Sequence, residues 1–217
     1  MTKTKTRAFP IATEGFPYIL GGIGLTLLSL FFGSNSITVL FGFITLFVLQ
    51  FFRNPNRTGS QEEGVVLSPA DGEIISVELV QEERFLKEKA IKISVFMNIF
   101  NVHVNRSPYS GVVKKISYSE GKFFAANAEK ASLENEQNAI LLETDKGKKI
   151  LFIQIAGLIA RRIICYAQEG DRLVKGERCG IIKFGSRVDL YLPPDSRVAV
   201  KVKDKVKGGE TVIGVLS

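Results

Sequence analysis

The chain is poor in the residues that build metal sites and disulfide frameworks. Its 217 residues include one histidine, two cysteines and no tryptophan. Cys165 and Cys179 stand apart among apolar residues and form no CxxC pair. Because zinc sites and disulfide scaffolds need several such ligands at short spacing, we expect neither a metal nor a disulfide. We interpret both cysteines as buried thiols of a reducing compartment.

Charged residues are missing from two apolar runs near the N-terminus. Residues 16–32 and 37–52 contain no charged side chain, and a Gly-Ser-Asn-Ser turn separates them. Each run is near the lower limit of about 17 residues for a membrane-spanning helix. The runs predict a helical membrane hairpin, with a buried hairpin of a soluble protein as the alternative. The second run has no polar face, because phenylalanines point all around a helix. These are Phe41, Phe43, Phe47, Phe51 and Phe52.

Basic residues flank the hairpin on both sides. Lys3, Lys5 and Arg7 precede it, Arg53 and Arg57 follow it, and the turn between the runs is uncharged. Since positive residues stay on the cytoplasmic side, we expect both ends of the hairpin at the cytoplasmic face of the cell membrane. The net charge of +7 agrees with a domain held near an anionic leaflet. No basic-aromatic motif or recognition helix favours nucleic acid as a partner.

The remainder of the chain has the pattern of a β-rich domain. We divide the sequence into an N-terminal segment of residues 1–57 and a second domain of residues 58–217. Apolar and polar residues alternate around residues 91–95, and residues 150–155 form a continuous buried-strand run. Many short strands between Gly, Asp and Pro turns predict an all-β sandwich or barrel. One short helix is expected near residues 125–136.

A short segment occurs twice in this domain. Residues 171–177 and 204–210 share the pattern Asp-x-Leu/Val-x-x-Gly-Glu, and each precedes an apolar strand. The pattern resembles the hairpins of lipoyl and biotinyl domains. The expected fold is therefore an all-β, barrel-sandwich-hybrid-like domain with an N-terminal hydrophobic helical hairpin.

The Gly185-Ser186 pair can carry unusual chemistry. A serine hydroxyl that attacks the preceding carbonyl converts the amide into an ester, and β-elimination then cleaves the chain. The resulting dehydroalanine hydrolyses to a pyruvoyl group on the new N-terminus. Glycine suits the preceding position because it tolerates strained backbone geometry. From the dipeptide alone, an ordinary turn between two strands remains the better interpretation.

Three segments in order reverse that interpretation. Residues 68–72 read SPADG, residues 96–108 read FMNIFNVHVNRSP, and residues 184–187 read FGSR. Together with the apolar hairpin, they resemble the short form of the phosphatidylserine decarboxylase proenzyme family. One departure is that longer bacterial members carry H-x-x-H in the second segment, where this chain has His103 and Arg106.

The resemblance implies a self-cleaving membrane enzyme. The precursor would be cut into chains 1–185 and 186–217, which remain together as a heterodimer, while higher oligomers stay open. Ser186 would become a covalent pyruvoyl cofactor, with Gly185 at the cleavage site. The enzyme would convert phosphatidylserine into phosphatidylethanolamine without a metal or pyridoxal phosphate.

Four further residues are candidates for the site. His103 is the only side chain whose ordinary pKa lies near neutrality, and we expect it to protonate the substrate carbanion or to assist cleavage. Asp71 is predicted to orient or activate the Ser186 hydroxyl, whereas Asp189 is expected at a turn or strand edge. Adjacent arginines usually face water on opposite sides. The alternative is that Arg161 or Arg162 binds the lipid phosphate or the substrate carboxylate.

Two other functions fit parts of the sequence. A decarboxylase of the ether lipid archaetidylserine would use the same headgroup chemistry. A non-catalytic, membrane-anchored adaptor or carrier would use only the barrel-sandwich scaffold. A lipoyl or biotinyl carrier should show its lysine in a context such as Met-Lys-Met, which Lys175 lacks.

Overall fold

A computed structural model describes residues 9–121, 135–157, 162–183 and 186–217. The chain divides into two compact units, Met1–Asn56 and Arg57–Ser217. Arg57 therefore belongs to the second unit. Gly185, Arg161 and nearly all of the helix predicted near residues 125–136 lie outside the described residues.

The first unit is a pair of helices whose contact is made by small and polar residues. A 3-10 turn, Thr13–Gly15, leads into α1 (Phe16–Phe31), and α2 (Asn35–Phe51) follows. Gly22 lies against Thr45, and the hydroxyls of Ser29 and Thr38 are 3.0 Å apart. Small and polar contacts with apolar side chains outside are typical of helices that face lipid. The exposed apolar residues include Leu20, Ile23, Leu25, Leu27, Leu28, Leu30, Phe31, Ile37, Val39, Leu40, Phe43, Ile44 and Leu46.

Within the ranges that the structure describes, one helix is long and apolar enough to cross a membrane. By length and composition, Thr13–Phe31 meets that requirement, with 19 residues and a mean hydropathy of 1.3. Only 17% of its apolar window is buried in the structure, which distinguishes it from the core helix of a soluble protein. The second helix, Asn35–Phe51, also exposes apolar side chains. Its 17 residues are fewer than the 19 of the 3-10 turn and α1 together.

The described residues of the second unit form fourteen strands in three antiparallel sheets. An eight-stranded sheet has the order β13-β2-β3-β11-β7-β6-β5-β9, and two three-stranded sheets have the orders β1-β14-β12 and β4-β10-β8. The all-β class with an N-terminal helical pair agrees with the prediction. The strands are β1 (Val65–Leu67), β2 (Gly72–Glu82), β3 (Glu88–Met97), β4 (Val104–Arg106), β5 (Gly111–Ser119), β6 (Gln137–Glu143), β7 (Lys149–Ala156), β8 (Ile163–Cys165), β9 (Arg172–Leu173), β10 (Arg178–Ile182), β11 (Ser186–Leu192), β12 (Arg197–Val198), β13 (Lys205–Val206) and β14 (Val212–Val215).

The repeated segment adopts the same arrangement twice. Strands β9 and β13 are the two edges of the eight-stranded sheet, whereas β10 and β14 are the centres of the small sheets. Each repeat is therefore a turn that crosses between sheets, and not the hairpin that its sequence suggested. Gly176 and Gly209 have φ values of 79° and 75°, which only glycine adopts without strain. A Cβ on Gly209 would lie 3.6 Å from the Cα of Gly176, so the two turns approach closely.

Strand β11 lies near the middle of the large sheet, and all seven of its residues are buried. Its even-numbered residues Val188 and Leu190 join the main core, which also includes residues of both small sheets such as Ile182 and Ile213. Tyr191 packs into a smaller cluster with Leu151, Ile153 and Leu86. The alternation of β11 therefore places its two faces in two different cores.

Candidate active site

Ser186 is the first residue of β11 and lies at one end of the large sheet. It pairs with Met97, the last residue of β3, and with Ala156, the last residue of β7. Its side chain is completely buried, and its Oγ lies 3.9 Å from the Sδ of Met97. The register of three strands thus fixes the position of this hydroxyl and shields it from water.

His103 is buried directly before β4. Its Nδ1 lies 3.0 Å from the carbonyl oxygen of Asn101, and its own carbonyl accepts the N–H of Ile182 at 3.3 Å. Because a carbonyl can only accept, Nδ1 must carry a hydrogen, which makes Nε2 the basic atom of the neutral ring. Val102 and Val104 are buried as well, so the whole segment that carries the histidine lies inside the domain.

Two chain connections hold His103 near the Ser186 end of the sheet. Ile182 is the last residue of β10 and shortly precedes Ser186 in sequence. On the other side, the turn that leads to His103 begins directly after Met97, the β3 partner of Ser186. The structure thus brings together the segments that carry the two predicted site residues.

The turn before His103 is held by two asparagine side chains that the sequence analysis assigned no role. The Oδ1 of Asn101 accepts the N–H of Asn98 at 2.9 Å, and the Oδ1 of Asn98 accepts the N–H of Phe100 at 2.9 Å. The backbone N–H of Asn101 also donates to the carbonyl of Asn98. The Asn-x-x-Asn spacing is a turn signal that could have identified both residues.

The described contacts of Asp71 are with Arg57 and Gly208, and not with Ser186. The guanidinium of Arg57 donates to both carboxylate oxygens, with an Nη2–Oδ2 distance of 2.8 Å. The N–H of Gly208 donates to Oδ1 at 2.8 Å. Burial lowers the pKa of Arg57, but the hydrogen bond and charge of Asp71 outweigh it and raise that pKa above its ordinary value.

Asp71 and Ser186 nevertheless belong to the same end of the large sheet. Asp71 directly precedes β2, whose first residue, Gly72, packs closely against the carbonyl of Phe96. Strand β3 lies between β2 and β11, so the two residues are separated by two strand spacings, about 10 Å at the backbone.

Arg106 lies at the position of the second histidine in the longer relatives. It contacts both turns of the repeated segment, at Gly176 and at Gly209. Its Nη1 donates to the carbonyl of Gly176 at 2.9 Å, and its Cδ packs against Gly209. Burial, with help from nearby Arg178 and Arg57, lowers the pKa of Arg106 to about 10. The side chain therefore stays protonated at neutral pH and cannot act as a base.

A buried ion pair lies immediately beside Ser186 in β11. The Nε of Arg187 lies 2.8 Å from Oδ1 of Asp189, and its Nη2 donates to Oδ2 at 3.0 Å. Asp189 is completely buried in the middle of the sheet, so its expected place at a turn or strand edge was wrong. The Arg-x-Asp spacing puts both side chains on one face of a strand and could have predicted the pair.

Three buried amides form a row that leads to Met97. Asn138 donates to Gln154 at 2.9 Å, and Gln154 donates to Asn105 at 2.8 Å. The Nδ2 of Asn105 then lies 3.7 Å from the Sδ of Met97, the atom that Ser186 also approaches. The three amides thus hydrogen-bond to one another in the core. The last of them contacts the same sulfur atom that the Ser186 hydroxyl approaches.

Arg162 is exposed to solvent, whereas Lys175 is buried. Arg162 is exposed just before β8, and its carbonyl accepts the N–H of Lys183 at 3.3 Å. Lys175 is buried, and its ammonium donates to the carbonyls of Glu62 and Val65 at 2.6 and 2.9 Å. Burial lowers the pKa of Lys175. A lysine engaged in this way is not the exposed, modifiable lysine that a carrier domain requires.

Comparison with known proteins supplies the family context. Residues 44–214 match the family model described as phosphatidylserine decarboxylase. A phosphatidylserine decarboxylase proenzyme of Pelobacter propionicus is 50% identical over 219 residues, which cover 98% of this chain and 99% of that protein. Those of Geobacter metallireducens and Syntrophus aciditrophicus are 47% and 50% identical and cover 95% and 94% of this chain and 97% and 96% of their own lengths.

Proposed function

Because the chain belongs to the phosphatidylserine decarboxylase family, we propose that it converts phosphatidylserine into phosphatidylethanolamine after cutting itself between Gly185 and Ser186. The observation that carries this proposal is the position of Ser186. The burial of its hydroxyl and its fixed register at the start of a central strand support our proposal that Ser186 attacks the preceding carbonyl.

The proposed cleavage balances without an external reagent other than water. Oγ of Ser186 attacks the carbonyl carbon of Gly185, and the peptide C–N bond breaks as the nitrogen takes up a proton. Elimination then removes the Cα proton of residue 186 and breaks its Cβ–O bond, which leaves a carboxylate on Gly185 and dehydroalanine at position 186. Hydrolysis releases ammonia and leaves the pyruvoyl group, whose ketone supplies an electron sink for decarboxylation.

We propose separate roles for Ser186, His103 and Arg162, based on where each residue lies. The ends of β3 and β7 hold residue 186, and burial shields its hydroxyl in the uncleaved chain. The hydrogen bond of Nδ1 to Asn101 leaves Nε2 of His103 as the atom that exchanges a proton with the substrate carbon. Arg162 is exposed beside this region and remains our candidate for binding the lipid phosphate or carboxylate.

We also propose a barrel-sandwich-like relationship for the fold and a heterodimer for the cleaved protein. The matching positions of the two repeats, each running from an edge of the large sheet to the centre of a small one, support the first. The second is supported by β11, which pairs with β3 and β7 and would belong to the short chain 186–217.

Asp71→Asn should slow self-cleavage more than His103→Ala does. The reason is that Asp71 lies at the serine end of the sheet with its charge fixed by Arg57, whereas we assign His103 to turnover. We expect at least a tenfold slower rise of the cleaved fraction, measured by denaturing gel over time. Equal and rapid cleavage in Asp71→Asn would remove the residue from processing.

Arg57→Gln is the matched control, because it removes the partner and keeps the carboxylate. Both variants should be compared at a temperature where each is folded, since an unpaired buried charge destabilises a protein. Cleavage that persists in Arg57→Gln but fails in Asp71→Asn assigns the effect to the carboxylate. Equal failure of both would show that the ion pair merely holds the fold.

Removal of the helical unit should release the protein from membranes without stopping cleavage. We propose that this unit is the anchor, with both ends on the cytoplasmic side. A chain that begins at Arg57 keeps the ion pair with Asp71, and we expect it to be soluble and cleaved. A chain that begins at Thr58 lacks the guanidinium and should also be cleaved, because the cleavage chemistry lies in the β-rich unit. Sedimentation with lipid after a high-salt wash would show that the helical unit is not the principal anchor.

A further inference from the structure

We propose that the turn Asn98–Asn101 is the point at which the β-rich unit touches the bilayer, with Phe100 inserted among anionic lipid headgroups beside the site. The inference deepens the proposed function, because a lipid substrate must reach Ser186 from a membrane surface. It adds a contact that is independent of the helical unit.

The first observation is a large apolar side chain on a rigid support. Phe100 is 62% exposed, although the turn that carries it is tied by the side chains of Asn98 and Asn101. A single exposed apolar residue is common on protein surfaces. A pre-formed turn, however, loses little conformational freedom when its tip enters the interface, which favours insertion.

The second observation is that the same turn positions the predicted proton donor. Asn101 directly follows Phe100. Its carbonyl oxygen lies 3.0 Å from Nδ1 of His103. An aromatic tip that enters the headgroup layer would therefore bring His103 to the depth at which the serine headgroup lies. The membrane contact and the reacting atoms would be aligned by a single turn.

The third observation is the charge beside the turn. Ile182 donates to the carbonyl of His103, and the next residue, Lys183, donates to the carbonyl of exposed Arg162. Arg162 directly precedes β8 and Lys183 directly follows β10, so two basic residues lie at the ends of paired strands, one of which is bonded to the backbone of His103. An apolar tip with basic neighbours fits a bilayer that carries anionic phosphatidylserine, and this is the occupant to which we commit.

Tryptophan substitution tests the contact directly, because the natural chain contains no tryptophan. We would place Phe100→Trp in the full chain and reconstitute it in vesicles of phosphatidylcholine and phosphatidylserine that contain brominated lipid. Trp emission should shift to the blue and fall by about twofold or more as the ring enters the interface. This readout does not depend on activity.

Leu79→Trp is the matched control. Leu79 is 63% exposed, almost the same as Phe100, and it pairs with Ile91, which pairs with Leu192 at the opposite end of β11 from Ser186. Its emission should be unchanged by brominated lipid. Unquenched emission from Phe100→Trp, or equal quenching of both variants, would overturn the proposal, as would a blue shift that occurs without lipid through association of two copies.

A second arm uses turnover by the full chain. Phe100→Ser should lower decarboxylation of phosphatidylserine in vesicles about tenfold and change turnover of a water-soluble, short-chain phosphatidylserine by less than about twofold. Phe100→Leu should restore the vesicle rate. Equal loss on both substrates would mean that the turn acts through His103, and would overturn the membrane contact. A wild-type protein that is quenched as expected but decarboxylates neither substrate would instead refute the proposed function.

Discussion

Ser186→Ala should leave one uncleaved chain that releases no carbon dioxide from phosphatidylserine. The substitution removes the hydroxyl that we propose attacks Gly185, and with it the source of the pyruvoyl group. Loss of a covalent group that the reaction cannot replace typically costs about 10⁴-fold or more in rate. Intact mass should show a single chain of 217 residues.

The natural protein should show two chains in the same measurement, residues 1–185 and 186–217, and the shorter one should be blocked to Edman sequencing. Ser186→Cys and Ser186→Thr keep a nucleophile and should cleave slowly. Ser94→Ala is a suitable control, because Ser94 is also buried in the large sheet, on β3, and should be cleaved normally. Active enzyme with an intact bond before Ser186 would refute the proposed processing.

His103→Ala should be cleaved at Gly185 but should turn over substrate about 10³-fold more slowly, the range expected for loss of a positioned proton donor. The physical reason is the fixed ring, whose Nδ1 is bonded to Asn101. Cleaved fraction by gel and carbon dioxide release on the same sample separate the two steps. Accumulation of uncleaved precursor, to the extent seen in Asp71→Asn, would assign His103 to processing instead.

The sequence singled out Gly185, Ser186 and His103 through three ordered segments that resemble the motifs of one family. The Gly-Ser pair alone favoured an ordinary turn. The ion pair of Asp71 with Arg57 could not be predicted from the sequence. The two residues are fourteen positions apart, and only their side chains form hydrogen bonds with each other. Its discovery required the fold.

Alternation along a strand explains the error at Asp189. Asp189 was expected at a turn or strand edge, but Arg187 lies on the same face of the strand two residues earlier and pairs with it in the core. The repeats show a related limit. Their glycines at 176 and 209 predicted turns correctly, whereas the sheet that each flanking strand joins depends on contacts with distant residues.

The place of β11 in the large sheet would make the proposed cut a one-way event for folding. Before cleavage, the strand reaches its position as part of one continuous polymer. Afterwards, the same seven residues would belong to a separate peptide between β3 and β7. Recovery from unfolding would then need a bimolecular encounter that inserts a strand into the middle of a sheet. The lifetime of the cleaved protein would be governed by how slowly that sheet opens, and not by an equilibrium between folded and unfolded states.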